Sequence, residues 1–352
     1  MLDSFYRGRR VCVTGHTGFK GGWLSDWLTF LGARVQGISL DPPSSPNYFN
    51  AVGLADRVID ARIDICEAKA VSAALASFEP EIVFHLAAQP LVRRSYAEAV
   101  ETFDTNVMGT ARILEAVRAT PSVRVVVVVT SDKCYENREW PWAYRENDPM
   151  GGHDPYSASK GCCELLVNAW RRSFFQGPGA PRLASARAGN VIGGGDWGAD
   201  RLVPDCVRAF GAGETLRIRS PQAVRPWQHV LEAVSGYLLL AKRLWDEPRL
   251  ATGWNFGPVD PDSWTVEQVV RQVAACFGRG EYCVDAGEKL HEAHWLRLDA
   301  SRAVLELGWR PRLSVAEAIA MTMDWHKAHA RGESACALHA LTMAQIEAYC
   351  AH

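Results

Sequence analysis

The feature that most restricts this chain is a run of five valines, Val125–Val129, ending in Thr-Ser-Asp-Lys. An uninterrupted β-branched run suits a strand covered on both faces, since alternation would leave half of its side chains in water. Other apolar runs read the same way: "RRVCVTG", "ARVQGISLD" and "EIVFHLAA". Between them lie helical patterns. "FKGGWLSDWLTFLG" places Trp23, Leu24, Trp27, Leu28 and Leu31 on one stripe closed by Gly32, and helix-like segments follow near 67–78 and 98–118. Strands apolar along their whole length, alternating with helices, predict an α/β fold with a doubly wound parallel sheet.

After about residue 190 the texture changes. "AGNVIGGGDWGADR", "RIRSPQAVRPWQHV" and "NFGPVDPDSWTVEQ" are glycine-rich or polar-aromatic, with helices expected near 201–212, 230–246 and 264–277. The expected division is a sheet domain over 1–189, to which parts of 226–258 return, and a smaller C-terminal substrate-binding lobe over 190–225 and 259–352. Such a lobe closes over the strand ends, where ligands sit in sheets of this kind.

Composition narrows the function. The chain has 352 residues, 48% hydrophobic and 22% charged, as in globular proteins. A net charge of −2 gives no basic footprint for nucleic acid or anionic membrane. No run approaches the ~18 consecutive apolar residues of a spanning helix. The N-terminal stretch carries no secretory pattern, so the cytoplasm is expected. Ten cysteines without a C-x-x-C pair read as thiols rather than as a metal site. Trp140, Trp142, Trp197 and Trp227 stand in loop-like stretches and are expected to line a cleft, whereas Trp23 and Trp27 are expected in the core.

"VTGHTGFKGGWL" carries Gly15, Gly18 and Gly21, with Phe19 among them, at the turn from the first strand into the first helix. There a backbone can approach a pyrophosphate closely and the helix N-terminus offers unpaired N–H groups. Asp41 follows Gly21 by 20 residues, where a carboxylate accepts from a ribose diol and repels a 2′-phosphate, favouring NAD over NADP. His16 either contacts the phosphates or caps the turn. Further on, "GGHDPYSASKGCCELLVNAW" predicts a helix with Asp154 as N-cap and Pro155 in its first turn. Tyr156 and Lys160, four apart, share one face. The ammonium is expected to lower the tyrosine pKa so that the phenolate accepts a proton from a sugar hydroxyl.

The glycine loop, the strand-end Ser131 and the Tyr156–Lys160 pair, in this order, resemble the extended short-chain dehydrogenase/reductase family of nucleotide-sugar enzymes. The resemblance implies a Rossmann sheet, a tightly bound and recycled NAD, and Ser131, Tyr156 and Lys160 as an oxidising triad. In the sugar 4,6-dehydratase branch the strand-end hydroxyl residue is followed by an Asp–Glu pair that eliminates water. Here the pair is Asp132–Lys133. "TSDKCYENREW", "PMGGHDPYSASKG", "GNVIGGGDW", "RPWQHVLE" and "HEAHWLRLD" extend the likeness over nearly the whole chain. They imply a hydro-lyase converting cytidine diphosphate-glucose to its 4-keto-6-deoxy product, for deoxysugar or polysaccharide biosynthesis. Cytidine rests on the resemblance alone.

The expected division of labour gives Asp132, kept protonated by burial, to the departing 6-hydroxyl. Lys133 takes the C5 proton as a neutral amine, with an ordinary pKa of about 10.4 that burial and nearby cations push down. Alternatively a charged Lys133 stabilises the enolate, or the two form an internal ion pair. The resemblance also points to Asp64 and Ile65 at the adenine, and to Ala87, Ala88 and Gln89 where the cofactor backbone passes. Asn106 is expected to orient its neighbours, Asn190 to bond the sugar diphosphate, and Arg201, Arg219, Arg225 and His229 to be diphosphate partners. Glu292 and His294 carry no assigned role. Helices near 98–118 and 155–175 look amphipathic on two sides, implying a helix-bundle homodimer, with a tetramer also open. Two rivals are a sugar 4-epimerase, which needs no acid–base pair at the strand end, and a non-catalytic NAD-binding module. A dehydratase acting on another nucleoside diphosphate hexose would look much the same.

Overall fold

A computed structural model describes residues 2–259, 264–285 and 294–351. Its centre is a seven-stranded sheet: β1 (Arg10–Thr14), β2 (Arg34–Ser39), β3 (Ile59–Arg62), β4 (Ile82–His85), β5 (Val125–Val129), β6 (Arg182–Ala188) and β7 (Gly253–Phe256). The order across the sheet is β7-β6-β5-β4-β1-β2-β3, and every neighbouring pair is parallel. Strand order reverses between β1 and β4, the place where such a sheet opens a crevice at its carboxyl ends. All five valines of β5 are buried, as a strand covered on both faces requires. Val125, Val127 and Val129 join one core and Val126 and Val128 the other, so the period of two is spent on two apolar layers.

The helix Val230–Asp246 and β7 return to the sheet after the chain has left it: Val234, Leu238 and Ala241 share a core with Val125 and Val127, and β7 pairs with β6. A second, smaller core forms the lobe, from the helices Leu202–Ala212 and Val266–Phe277, the short strand Leu216–Ile218, and Val315, Ile319 and Met323. The tail divides differently from the expected boundaries. Along Val315–Ala330 the lobe-facing residues give way to Trp325 and Ala328, which pack with Trp23 and Tyr48. The last helix, Ala335–Ala351, sets Ile346 and Tyr349 into the same sheet-side core. The aromatic stripe of the first helix needs a cover, and these helices provide it.

Candidate active site

The strand ends and the lobe enclose a cleft of about 580 Å³. Its floor is the stretch following β5. Ser131 takes extended dihedrals and its Oγ accepts from Lys133 N at 3.2 Å, so the chain turns sharply and brings Asp132 and Lys133 to the cleft wall. Ser131 Oγ also donates to Asp132 Oδ1 at 3.0 Å. Asp132 Oδ2 has no hydrogen-bond partner among the described residues. Burial raises the Asp132 carboxyl above its ordinary range, and Lys133, the Ser131 hydroxyl, Arg225 and Lys20 pull it only part of the way back. A buried carboxyl with a raised pKa therefore stands beside a lysine that is only partly buried.

Opposite lies the helix Pro155–Ser173. Asp154 caps it, accepting from Ser157 N at 2.9 Å, and Pro155 follows, as the sequence predicts. Tyr156 lines the cleft and Lys160 is buried behind it. The expected lowering of the tyrosine pKa is not found in the protein alone. Burial pushes Tyr156 up to about 12; a hydrogen bond from Ser131 and the charge of Arg201 pull it down, while Asp132 pushes it further up. Lys160 is lowered by burial. Asp132 and Tyr156 are thus coupled: a proton on the carboxyl makes the phenol easier to ionise.

The dinucleotide side is built from the glycines. Gly15 has φ +79, and a Cβ there would stand 2.8 Å from Ala87 N. A Cβ on Gly21 would meet Gly15 O at 2.0 Å. Gly18 caps the helix Phe19–Phe30 with no side-chain acceptor, leaving first-turn N–H groups for an anion. Ala87 passes beside this loop. Asn106 holds Gln89 on both sides: its Oδ1 accepts from Gln89 N at 2.8 Å, and its Nδ2 donates to Gln89 O and to Ser159 Oγ. It therefore ties the end of β4 to the tyrosine–lysine helix. Asp64 Oδ1 accepts from Cys66 N, and Ile65 is buried beneath Gly109. Asp41 is almost fully exposed, with Arg62 at 3.5 Å. These residues fit a dinucleotide, and the uncapped helix start would hold its pyrophosphate.

On the lobe side Asn190, Arg201, Arg219 and Arg225 all reach the cleft, and Arg201 is paired with Asp196 at 3.0 Å. His229 is placed otherwise. It is fully buried, its Nδ1 accepts from Leu231 N at 3.3 Å to cap the helix Val230–Asp246, and burial pushes it down to about 3. A neutral ring within the core is no partner for a diphosphate. His16, too, neither faces the cleft nor caps its turn: it lies against Gly37 and meets Asp60 at 2.8 Å. Of the four loop tryptophans only Trp227 lines the cleft. Trp140 and Trp142 pack on each other with Trp140 against Tyr144, and Trp197 packs against Trp325, His326 and His329. Glu292 lies outside the described residues.

The family model described as GDP-mannose 4,6 dehydratase matches residues 12–322. This chain belongs to that family. A CDP-glucose 4,6-dehydratase of Salmonella typhimurium is 51% identical over 95% of each chain. A UDP-glucose 4-epimerase of Mycolicibacterium smegmatis is 28% identical, over 90% of this chain and 98% of the relative. Among solved structures, a dTDP-glucose 4,6-dehydratase of Streptomyces venezuelae, DesIV with NAD and TYD bound, superposes with a TM-score of 0.79 at 24% identity, covering 92% and 98% of the two chains. That likeness shows the shared fold.

Within this member of the 4,6-dehydratase family one site residue escaped sequence reasoning. Lys20, in the first turn of the glycine-loop helix, lines the cleft. Burial, with the positive charges of Arg201 and Lys160, pushes its pKa down to about 8 against the pull of Asp132 and Asp196. The only signal was a charged residue between two glycines of the loop. Helical periodicity gave no reason to turn it toward the strand ends.

Proposed function

We propose that this protein is an NAD-dependent hydro-lyase that converts CDP-glucose and no external reductant into CDP-4-keto-6-deoxyglucose and water. The observation that carries the reading is the buried Asp132, its pKa raised by that burial, adjoining Lys133 on one wall of a cleft whose other wall holds Tyr156. The Salmonella relative, alike over 95% of both chains, supports the cytidine nucleotide.

Gly15, Gly18, Phe19, Gly21, Ala87, Ala88, Gln89, Asp64, Ile65 and Asp41 would hold the cofactor, with Asn106 bracing Gln89. Bound NAD would supply a reversible two-electron acceptor for the sugar. The remaining steps belong to the protein. Tyr156 accepts the O4 proton, Ser131 holds the same oxygen, and Lys160 supports the phenolate from behind. The new C4 carbonyl acidifies the C5 proton. Asp132 gives its proton to the 6-hydroxyl as the C6–O bond breaks and water leaves. Lys133 either takes the C5 proton as a free amine or, charged, steadies the enolate oxygen while the C5 proton passes to water. Asn190, Arg201, Arg219 and Arg225 are proposed for the diphosphate.

Incubation with CDP-glucose in deuterated water tests this directly. A 4-keto-6-deoxy product with deuterium at C5, seen by NMR, is the expected result. An epimerised hexose without solvent label would replace the reading with a 4-epimerase, and no product would leave a binding module. Parallel trials with UDP-, dTDP- and GDP-glucose address the base.

We also propose that two copies pair through the helical face that exposes Val100, Met108 and Leu165, apolar residues at 85%, 49% and 61% exposure. Sedimentation at graded concentration should return a dimer, and Leu165→Glu should loosen it. No described helix is long and apolar enough to cross a membrane, and no described group of His, Cys, Asp and Glu could hold a metal ion. A cytoplasmic setting accords with described cysteines that form no disulfide.

A further inference from the structure

A buried charged pair lies directly behind the active site and takes no part in the chemistry above. Glu164 continues the four-residue register of Tyr156 and Lys160 on the same helix face, and meets Arg187 of β6 at 2.7 Å with both side chains 5% exposed. Thr130 Oγ1 donates to Glu164 Oε1 at 2.5 Å and Ser185 Oγ to Oε2 at 2.7 Å. Burial alone would raise the Glu164 carboxyl, but Arg187 and these hydroxyls hold it below its ordinary range. The other arm of the guanidinium, Nη1, reaches away from the helix. It donates to Tyr135 OH at 2.6 Å and to Glu146 O at 3.1 Å. Tyr135 OH in turn donates to Asn255 Oδ1 of β7 at 2.7 Å.

Tyr135 is the first residue after the turn Asp132–Cys134. Arg187 therefore joins the helix that carries Tyr156 and Lys160 to the segment that carries Asp132 and Lys133. A second contact fixes the same pair of elements. A Cβ on Gly161 would stand 2.6 Å from Gly151 O and 3.2 Å from Cys134 O, so helix and turn meet backbone to backbone beside Lys160. Burying four polar side chains and a charge pair is costly, and well-packed apolar residues would hold these elements together at least as firmly. Directional bonds offer what apolar packing lacks, a fixed spacing.

We infer that Arg187, through Glu164 on one side and Tyr135 on the other, is a positioning residue that sets the distance between the oxidising pair and the acid–base pair. It thereby governs whether an oxidised sugar goes on to lose water. Tyr156 and Lys160 lie on one helix and keep their geometry when the clamp loosens. Asp132 and Lys133 move relative to a sugar already held by that helix. The clamp thus acts on elimination more than on the first oxidation, to which that segment contributes only Ser131. Displacement of about 1 Å can cost on the order of a hundredfold in such a step, so a partial loosening should cost about tenfold.

This inference rests on the dehydratase reading, and the test separates the two. Tyr135→Phe removes one hydroxyl and leaves the ring in place. In single-turnover mixing with CDP-glucose, the rise of reduced nicotinamide reports oxidation and the release of C5 label reports elimination. Tyr135→Phe should slow elimination about tenfold, change oxidation and KM by less than about twofold, and let the reduced cofactor build up. Arg187→Lys, which can keep Glu164 but lacks a second arm for Tyr135, should give the same split. Equal slowing of both steps, no change in either, or a collapse of the Tyr135→Phe melting midpoint would overturn the clamp and leave a purely structural pair. A wild-type protein that never forms the deoxy sugar would instead overturn the dehydratase reading.

Discussion

Replacing Asp132 with Asn separates the two halves of the proposed reaction. The amide has the carboxyl's shape and can keep the 3.0 Å bond from Ser131 at Oδ1, while the other carboxyl oxygen has no described partner to lose. The fold should therefore survive. What is lost is the titratable proton of a carboxyl whose pKa burial raises. A positioned general acid contributes about 10²- to 10⁴-fold, or roughly 3–5 kcal/mol of barrier, and elimination should fall by that factor. Oxidation should respond in the opposite sense. Where Asp132 is ionised its charge raises Tyr156, which stands at about 12, so at pH values where that carboxylate is present a neutral amide lowers it. The acidic limb of the oxidation rate should then move to lower pH. Rapid mixing, followed by absorbance of the reduced nicotinamide and by NMR of quenched samples, reads both steps. An accumulating 4-keto sugar that keeps its 6-hydroxyl is the expected state. An Asp132→Asn protein that formed the deoxy sugar within about threefold of the normal rate would refute the assignment, because an acid worth 10² or more would have been removed at no cost.

The glycine loop should discriminate between two alanines. Gly21→Ala puts a Cβ 2.0 Å from Gly15 O and should cost about 1–3 kcal/mol with loss of NAD binding by calorimetry, whereas Gly18→Ala, at 3.3 Å from the same oxygen, should bind NAD far more nearly normally. Lys20→Met removes a cation that lowers Asp132, so the alkaline limb of elimination should shift to higher pH; an unmoved limb would mean that the two groups do not interact. Glu164 is held below its ordinary value of 4.5, so its contribution to stability is present above that value and disappears as acid carries the pH down through the lower folded value. Glu164→Gln should therefore melt well below the parent near neutrality, with the gap closing on acidification. A constant gap would place the stabilisation elsewhere than in the charge.

The parts of this site that were legible in the sequence share a physical property: each is encoded within one element. The valines of β5 declare burial on both faces, Asp154-Pro155 declares a helix start, Tyr156 and Lys160 declare a face, and the glycines declare a close backbone approach. What escaped is encoded across elements. Lys20 gains its meaning from Asp132, which lies 112 residues away in the chain, and Arg187 from Glu164, Tyr135 and Asn255 on three other segments. His229 read as a phosphate ligand because a histidine beside "RPWQ" offers the right atoms. Its ring was needed instead to cap a buried helix, and the sequence around it is the same in either case. The aromatic loops failed for a related reason. Trp140, Trp142 and Trp197 sit in stretches that resemble cleft rims, yet ring contacts with one another, with Tyr144 and with the helix Val315–Ala330 claim them first. Chemistry that depends on two protonation states in one cleft needs both kinds of encoding. Adjacent positions bring Asp132 and Lys133 together, but only burial in the folded chain raises the carboxyl, against the opposing charges of Lys133, Arg225 and Lys20. Residue type and spacing thus name the participants in such a reaction, while the burial that assigns their roles is a property of the folded whole.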